Sequence, residues 1–174
     1  MLSKVLPILL EGLLWLWNPA GHSTAVDISG QETIWLAPGE VRALPAQAGL
    51  LTIAAENTTA AWTMTPGARI DALAPRRVWR YPIVPDTGLA IANPGPRQVT
   101  VALRINAGAG SKVLSLGLMP GAIAAQSVNW WLDIPAGVRL GEGSIVIDAE
   151  APIIALAASC PAGLCSMLPA AAQE

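Results

Sequence analysis

Val99-Thr100-Val101-Ala102-Leu103-Arg104-Ile105 decides the fold class of this chain. Val99, Val101, Leu103 and Ile105 fall on one side of an extended backbone, and Thr100, Ala102 and Arg104 on the other. A period of two is the pattern of a half-buried β-strand. Working outward, Thr33 to Leu36, Leu50 to Ala54, Trp79 to Val84, Gly88 to Ala92 and Ser144 to Ile147 are short apolar or alternating runs of the same kind. Pro38-Gly39, Pro66-Gly67, Pro94-Gly95, Pro120-Gly121 and Pro135-Ala136-Gly137 punctuate them. Turn signals so closely spaced predict an all-β sandwich or barrel. The one helical candidate is short, Gln126 to Asp133 around Trp130-Trp131-Leu132.

Composition agrees. The 174 residues are 53% hydrophobic and 13% charged, with 16 Gly and 15 Pro, which gives material for a buried core and many turns. A net charge of −2 offers no electrostatic footprint for nucleic acid.

The N-terminus reads as an export segment. Lys4 supplies a positive start, and Val5 to Trp17 is an apolar stretch interrupted by Pro7 and Glu11. Ser23-Thr24-Ala25 places small residues ahead of a cleavage point before Val26. The competing reading is an amphipathic or core helix; the run is too short for the roughly 20 residues of a spanning helix. Removal of residues 1–25 would also remove His22, the only histidine.

Elements then recur in the same order. Gly49 to Glu56 matches Gly143 to Glu150 in residue type, and Leu36-Ala37-Pro38-Gly39 matches Leu118-Met119-Pro120-Gly121. Ala60 to Thr65 pairs with Ile154 to Ser159, and Ile70 to Pro75 with Cys165 to Pro169. A meander has one apolar face to bury, and a second copy can bury it. The expectation is two unequal β-units packed together, a short one over 26–75 and a fuller one over 76–174. They would form either two sandwiches or one fused sandwich.

Thr87-Gly88-Leu89-Ala90-Ile91-Ala92-Asn93-Pro94-Gly95, leading into Val99 to Leu103, resembles the opening strands of an immunoglobulin-like repeat module of bacterial secreted and surface proteins. There a "GLALANP" strand runs through a turn into a "VTVTL" strand. Pro120-Gly121, Trp131 to Pro135 and Gly143 to Ala157 follow in the module's order. The resemblance covers about 76–169, and 26–75 weakly. It implies an extracellular immunoglobulin-like β-sandwich that serves as an accessory or surface module.

Few residues carry chemistry. Cys160 and Cys165 flank a turn-like loop, where a hairpin disulfide is the expectation over free buried thiols. The spacing is not Cys-x-x-Cys and no second pair exists, which counts against zinc or redox use. Without a histidine after residue 25, a Ser-His-Asp or Cys-His arrangement is unavailable. Gly108-Ala109-Gly110-Ser111-Lys112 lacks phosphate-loop spacing and sits between two strands, so a hairpin is expected. Asp148 and Glu150 share a strand face, but two carboxylates are too few for a calcium site. Asn57-Thr58-Thr59 matches a glycosylation acceptor, a weak signal in a bacterial chain.

The aromatic residues are unusual: seven Trp, one Tyr and no Phe. If Trp130 and Trp131 lie on a strand, they point to opposite faces, and one ring faces outward as a ligand or interface platform. Trp79 with Arg76, Arg77 and Arg80 offers cation–π contacts at the junction of the units. The expectation is a non-catalytic module, extracellular or on the cell surface, with the periplasm as the alternative. It would have no cofactor or metal, and no membrane-spanning helix. Its partners would be other proteins or itself, with carbohydrate recognition through exposed Trp as the alternative.

Overall fold

The computed structural model describes residues 2–8, 12–28, 31–47, 49–56, 59–63, 69–71, 73–161 and 165–171. The described residues are all-β apart from one α-helical turn, and the chain divides into two compact units, Met1–Pro75 and Arg76–Glu174. Among the described residues no helix is long and apolar enough to cross a membrane.

The first unit has two four-stranded sheets. One contains β1 (Leu2–Ile8), β6 (Gly49–Ala55), β3 (Thr24–Ile28) and β4 (Ile34–Leu36), in that order. The other runs β5 (Val41–Ala46), β2 (Gly12–Trp17), β7 (Thr59–Thr63) and β8 (Arg69–Asp71). Val26, Ile28, Leu36 and Ile53 are buried from the first sheet, and Leu14 and Leu16 from the second. On β2 and β3 burial alternates residue by residue, as the pleat requires.

Residues 1–25, expected as an export leader, therefore supply β1, β2 and the first two residues of β3. The first unit starts well before Val26. A leader and a strand flanked by exposed Trp look alike in sequence, because neither shows a polar alternate position. Leu9, Leu10 and Glu11 lie outside the described residues.

The second unit contains β9 (Arg76–Ile83), β10 (Thr87–Ala92), β11 (Val99–Ala107), β12 (Gly110–Leu118), β13 (Ile123–Ser127), α1 (Val128–Trp131), β14 (Gly143–Ser159) and β15 (Ser166–Met167). The sheet order is β12-β11-β14-β10-β13, with β9 and β15 also paired to β14. The strand read first from sequence is β11: Val99, Val101, Leu103 and Ile105 are buried, while Thr100 and Arg104 are exposed. Long β14 changes partners midway. It pairs with β11 up to Ala149 and with β10 from Ile154.

The same pairing runs through both units. Ile8 faces Gly49 as Ile83 faces Gly143, and Val26 faces Ala55 as Val101 faces Ala149. Thr24 faces Leu36 as Val99 faces Leu118, and Trp17 faces Val41 as Ala92 faces Ile123. The correspondence read from sequence needs one adjustment: Thr59, not Ala60, stands where Ile154 stands, opposite Trp17 and Ala92 respectively. The second unit uses one more residue to pass from Ala149 to Ile154 than the first uses from Ala55 to Thr59.

Candidate functional site

The sequence-expected site residues fall in the second unit. Cys160 and Cys165 are joined by a disulfide, with Cα atoms 3.9 Å apart. The bridge ties the end of β14 to the start of β15, and the Cys160 amide donates to the Asp86 carbonyl at 3.1 Å. Residues 162–164 between them lie outside the described residues.

Trp130 and Trp131 sit on the helical turn α1 rather than on a strand. Ser127 caps it: its Oγ accepts from the Trp130 amide at 3.2 Å. Consecutive residues on a helix are about 100° apart, so the rings diverge. Trp131 turns inward with Val128, and Trp130 remains 56% exposed. Their rings meet edge to face, 84° apart in plane with centroids at 5.1 Å. This gives one exposed ring, not a flat two-ring platform. The Trp131 Nε1 is buried with no hydrogen-bond acceptor among the described residues.

Other candidates serve the frame. Trp79 and Tyr81 alternate along β9, both buried, with near-parallel rings 6.2 Å apart. Trp79 Nε1 donates to the Ile153 carbonyl at 3.1 Å, and the Tyr81 hydroxyl to the Ala155 carbonyl at 2.7 Å. The Arg76 guanidinium lies 5.4 Å from the Trp79 ring centroid. Burial pushes the Tyr81 phenol well above the ordinary tyrosine range, with Arg76 pulling weakly the other way.

Gly108 and Ala109 form the two-residue turn between β11 and β12, where Ala107 faces Gly110. Lys112 pairs with Asp133. Asp148 and Glu150 are both exposed, and Glu150 Oε2 accepts from the Thr100 amide at 3.3 Å. Among the described residues no three His, Cys, Asp or Glu gather as a metal site. Asn57 and Thr58 lie outside the described residues. A groove of about 690 Å³ opens between the β9–β10 turn, with Pro85 and Asp86, and the segment carrying Val138, Arg139 and Glu142. Asp86, Arg139 and Glu142 give its lining charges of both signs.

The residues missed by the sequence reading lie on β2. Leu13, Trp15 and Trp17 share one face of that strand and are 43%, 38% and 46% exposed. Directly across on β5 stand Pro45, Ala43 and Val41, all exposed. On the other flank the register partners are Thr63, Ala61 and Thr59 of β7. None of these nine positions carries a charge. The nearest charged residue on β5, Arg42, belongs to the opposite face and is paired with Glu40 at 2.6 Å. The Ala37 amide, and then Arg42, hold the Glu40 carboxyl below the usual carboxylate range. The one signal in sequence was the spacing Trp15-x-Trp17, which only matters once the segment is known to be a strand. No family model, curated protein or solved structure matches the chain.

Proposed function

We propose that this protein is a non-catalytic structural or interaction module of the cell exterior, built from two tandem copies of an immunoglobulin-like β-sandwich unit. The observation that carries this reading is the shared strand register of the two units, which extends to the turn held by Asn18 in one and Asn93 in the other. Each of those side chains donates to a carbonyl at the end of a strand, Leu36 or Leu118, ahead of a Pro-Gly turn. Register and corner conserved in this way fit duplication of one module. The resemblance of 76–169 to bacterial surface modules supports the same reading. The Cys160–Cys165 disulfide favours an oxidising compartment, since thiols in the cytosol are kept reduced. In this reading residues 1–25 stay with the folded chain as strand.

The test is thiol trapping on the chain isolated from fractionated cells. The expected result is a fully oxidised pair in the exterior or periplasmic fraction. A chain found in the cytoplasmic fraction with two alkylatable thiols would sink the proposal. A second reading, a carbohydrate-binding module, draws on the exposed Trp130 ring. Sugar-dependent change in tryptophan fluorescence that vanishes in Trp130→Ser would favour it.

A further inference from the structure

We propose that the Cys160–Cys165 disulfide is a redox-sensitive lock on β15, the short strand that covers one edge of β14, and that a dithiol opens it while the rest of the second unit stays folded. The inference goes beyond the module reading and does not rest on it, because it concerns how one strand is held and not where the chain resides.

The edge comes first. Thr87, Gly88 and Leu89 of β10 face Ser159, Ala158 and Ala157 of β14. On the other side of the same residues, Ser166 faces Ser159 and Met167 faces Ala158, and the Leu168 amide donates to the Ala157 carbonyl at 2.9 Å. With β15 in place this end of β14 is an inner strand. Without it, the backbone groups of residues 157–159 become a bare sheet edge, open to pairing with other chains.

Little besides the bridge holds β15 down. Ser166 is exposed, and Met167 and Leu168 are only half-buried. Beyond the strand, the Ala171 amide donates to the Arg80 carbonyl at 2.9 Å. The Cys160 end is fastened separately. Its amide donates to the Asp86 carbonyl at 3.1 Å, and the Ser159 hydroxyl donates to the Pro85 carbonyl at 2.7 Å. Opening the bridge therefore frees the Cys165 side and leaves the Cys160 side in place.

The first unit supplies an internal comparison. There β8 covers the matching edge of β7, and Arg69 faces Thr63 as Met167 faces Ala158. Among the described residues β8 pairs at three positions and β15 at two. Both cysteines of the chain lie in the second unit, beside the shorter ladder.

Both cysteines are partly exposed, so a small dithiol can reach them. One thiolate of the dithiol attacks a sulfur of the bridge and displaces the other cysteine as thiolate. The second thiol of the reagent then closes its own disulfide and releases the first cysteine. Two electrons pass from the dithiol to the cysteine pair, and the two protons of the dithiol end on the two cysteine thiols.

The experiment is residue-resolved amide hydrogen exchange on the full chain, oxidised and then reduced with dithiothreitol. On reduction the Leu168 and Ala171 amides are expected to exchange about tenfold faster or more, since even a short bridged loop restricts the open state by that order. The Cys160 amide, bonded to Asp86, and the amides of β11 should keep their rates. So should those of β8, which has no cysteine. The double variant Cys160→Ser, Cys165→Ser should reproduce the pattern without reductant. Unchanged exchange at Leu168 in both the reduced chain and the double variant overturns the lock, because β15 then holds without the bridge. Equal acceleration of Leu168, Cys160 and β11 overturns it as well, because the bridge then supports the whole unit. These outcomes are independent of the compartment in which the chain is found, so they leave the module reading to its own test.

Discussion

The Asn93 carboxamide donates to the Leu118 carbonyl at 2.9 Å, and the Asn18 carboxamide donates to the Leu36 carbonyl at 3.1 Å. Around each, the same bonds close. The backbone amide of Asn18 donates to Glu40, and that of Asn93 to Ala122, both at 3.0 Å. The carbonyls accept from Gly39 and Gly121, both at 2.9 Å. Those glycines have φ of 72° and 74°, the left-handed position of a Pro-Gly type II turn. The side-chain Oδ1 of each Asn accepts from the amide two residues on, Ala20 or Gly95. Both Asn residues are fully buried. Replacing either by Ala strands several backbone groups without partners in the interior. Asn18→Ala and Asn93→Ala should each cost about 2–3 kcal/mol. The loss should appear as a lower urea midpoint for the unit that carries the change, followed by hydrogen exchange of β3 or β11. An effect spread equally over both units would contradict the assignment of one corner to each.

Gly143 opens β14 opposite Ala107, and a Cβ built there would stand 2.0 Å from the Asn106 carbonyl oxygen. The obstacle is backbone, so no side chain can swing aside. Gly143→Ala should destabilise the second unit by roughly 3 kcal/mol or more. Gly88→Ala is the control: its nearest neighbour is at 3.9 Å, an ordinary contact, and it sits in a strand. That change should be neutral or stabilising by up to about 1 kcal/mol. Thermal unfolding of the two variants side by side gives the comparison.

How much of this was legible depended on what each strand shows to solvent. β11 exposes Thr100 and Arg104, so its period was plain, and the Pro-Gly turns and the Cys160–Cys165 pair were equally readable. β2 exposes Leu13, Trp15 and Trp17. With apolar residues on both faces no period survives, and the segment reads as a leader in sequence. β14 is read from sequence as separate pieces, Ser144 to Ile147 and, through the repeat, Ile154 to Ser159, with Pro152 between them. In the structure it falls between the pairing with β11 and the pairing with β10, where no ladder bond is lost. The helical candidate Gln126 to Asp133 contains α1, so the strand parity applied to the rings of Trp130 and Trp131 does not hold on the turn that Ser127 caps.

Tyr81 is the only tyrosine, so phenolate absorbance reports one site. Burial raises its folded pKa above the unfolded value near 10. Above about pH 10 the unfolded chain gives up a proton that the folded chain keeps. The stabilisation is therefore complete below pH 10 and is lost as pH rises from there towards the raised folded value. The phenolate signal should appear late and together with unfolding, not as a separate earlier step. Tyr81→Phe removes the titration and the bond to Ala155. It should be less stable at neutral pH by about 1–2 kcal/mol, and its stability should fall less steeply above pH 10. Titration of the wild type near pH 10 with the fold intact would show the ring to be solvated.

Residues 1–25 provide the last test. β1 forms an edge of one sheet beside β6, and β2 lies between β5 and β7 in the other. Leu14 and Leu16 are 1% and 0% exposed, so β2 supplies core as well as ladder. A chain starting at Val26 would leave β6 without its β1 partner, expose the unpaired inner edges of β5 and β7, and open a cavity the size of two leucines. Each deleted leucine alone is worth about 2–5 kcal/mol in a well-packed interior, which is of the order of a small unit's whole stability. Residues 26–174 should therefore keep protection from hydrogen exchange in β9 to β14 and lose it throughout β3 to β8. The full chain should protect both sets. Equal protection of β3 to β8 in the two chains would mean that the first unit closes without β1 and β2, and that residues 1–25 are dispensable to the fold.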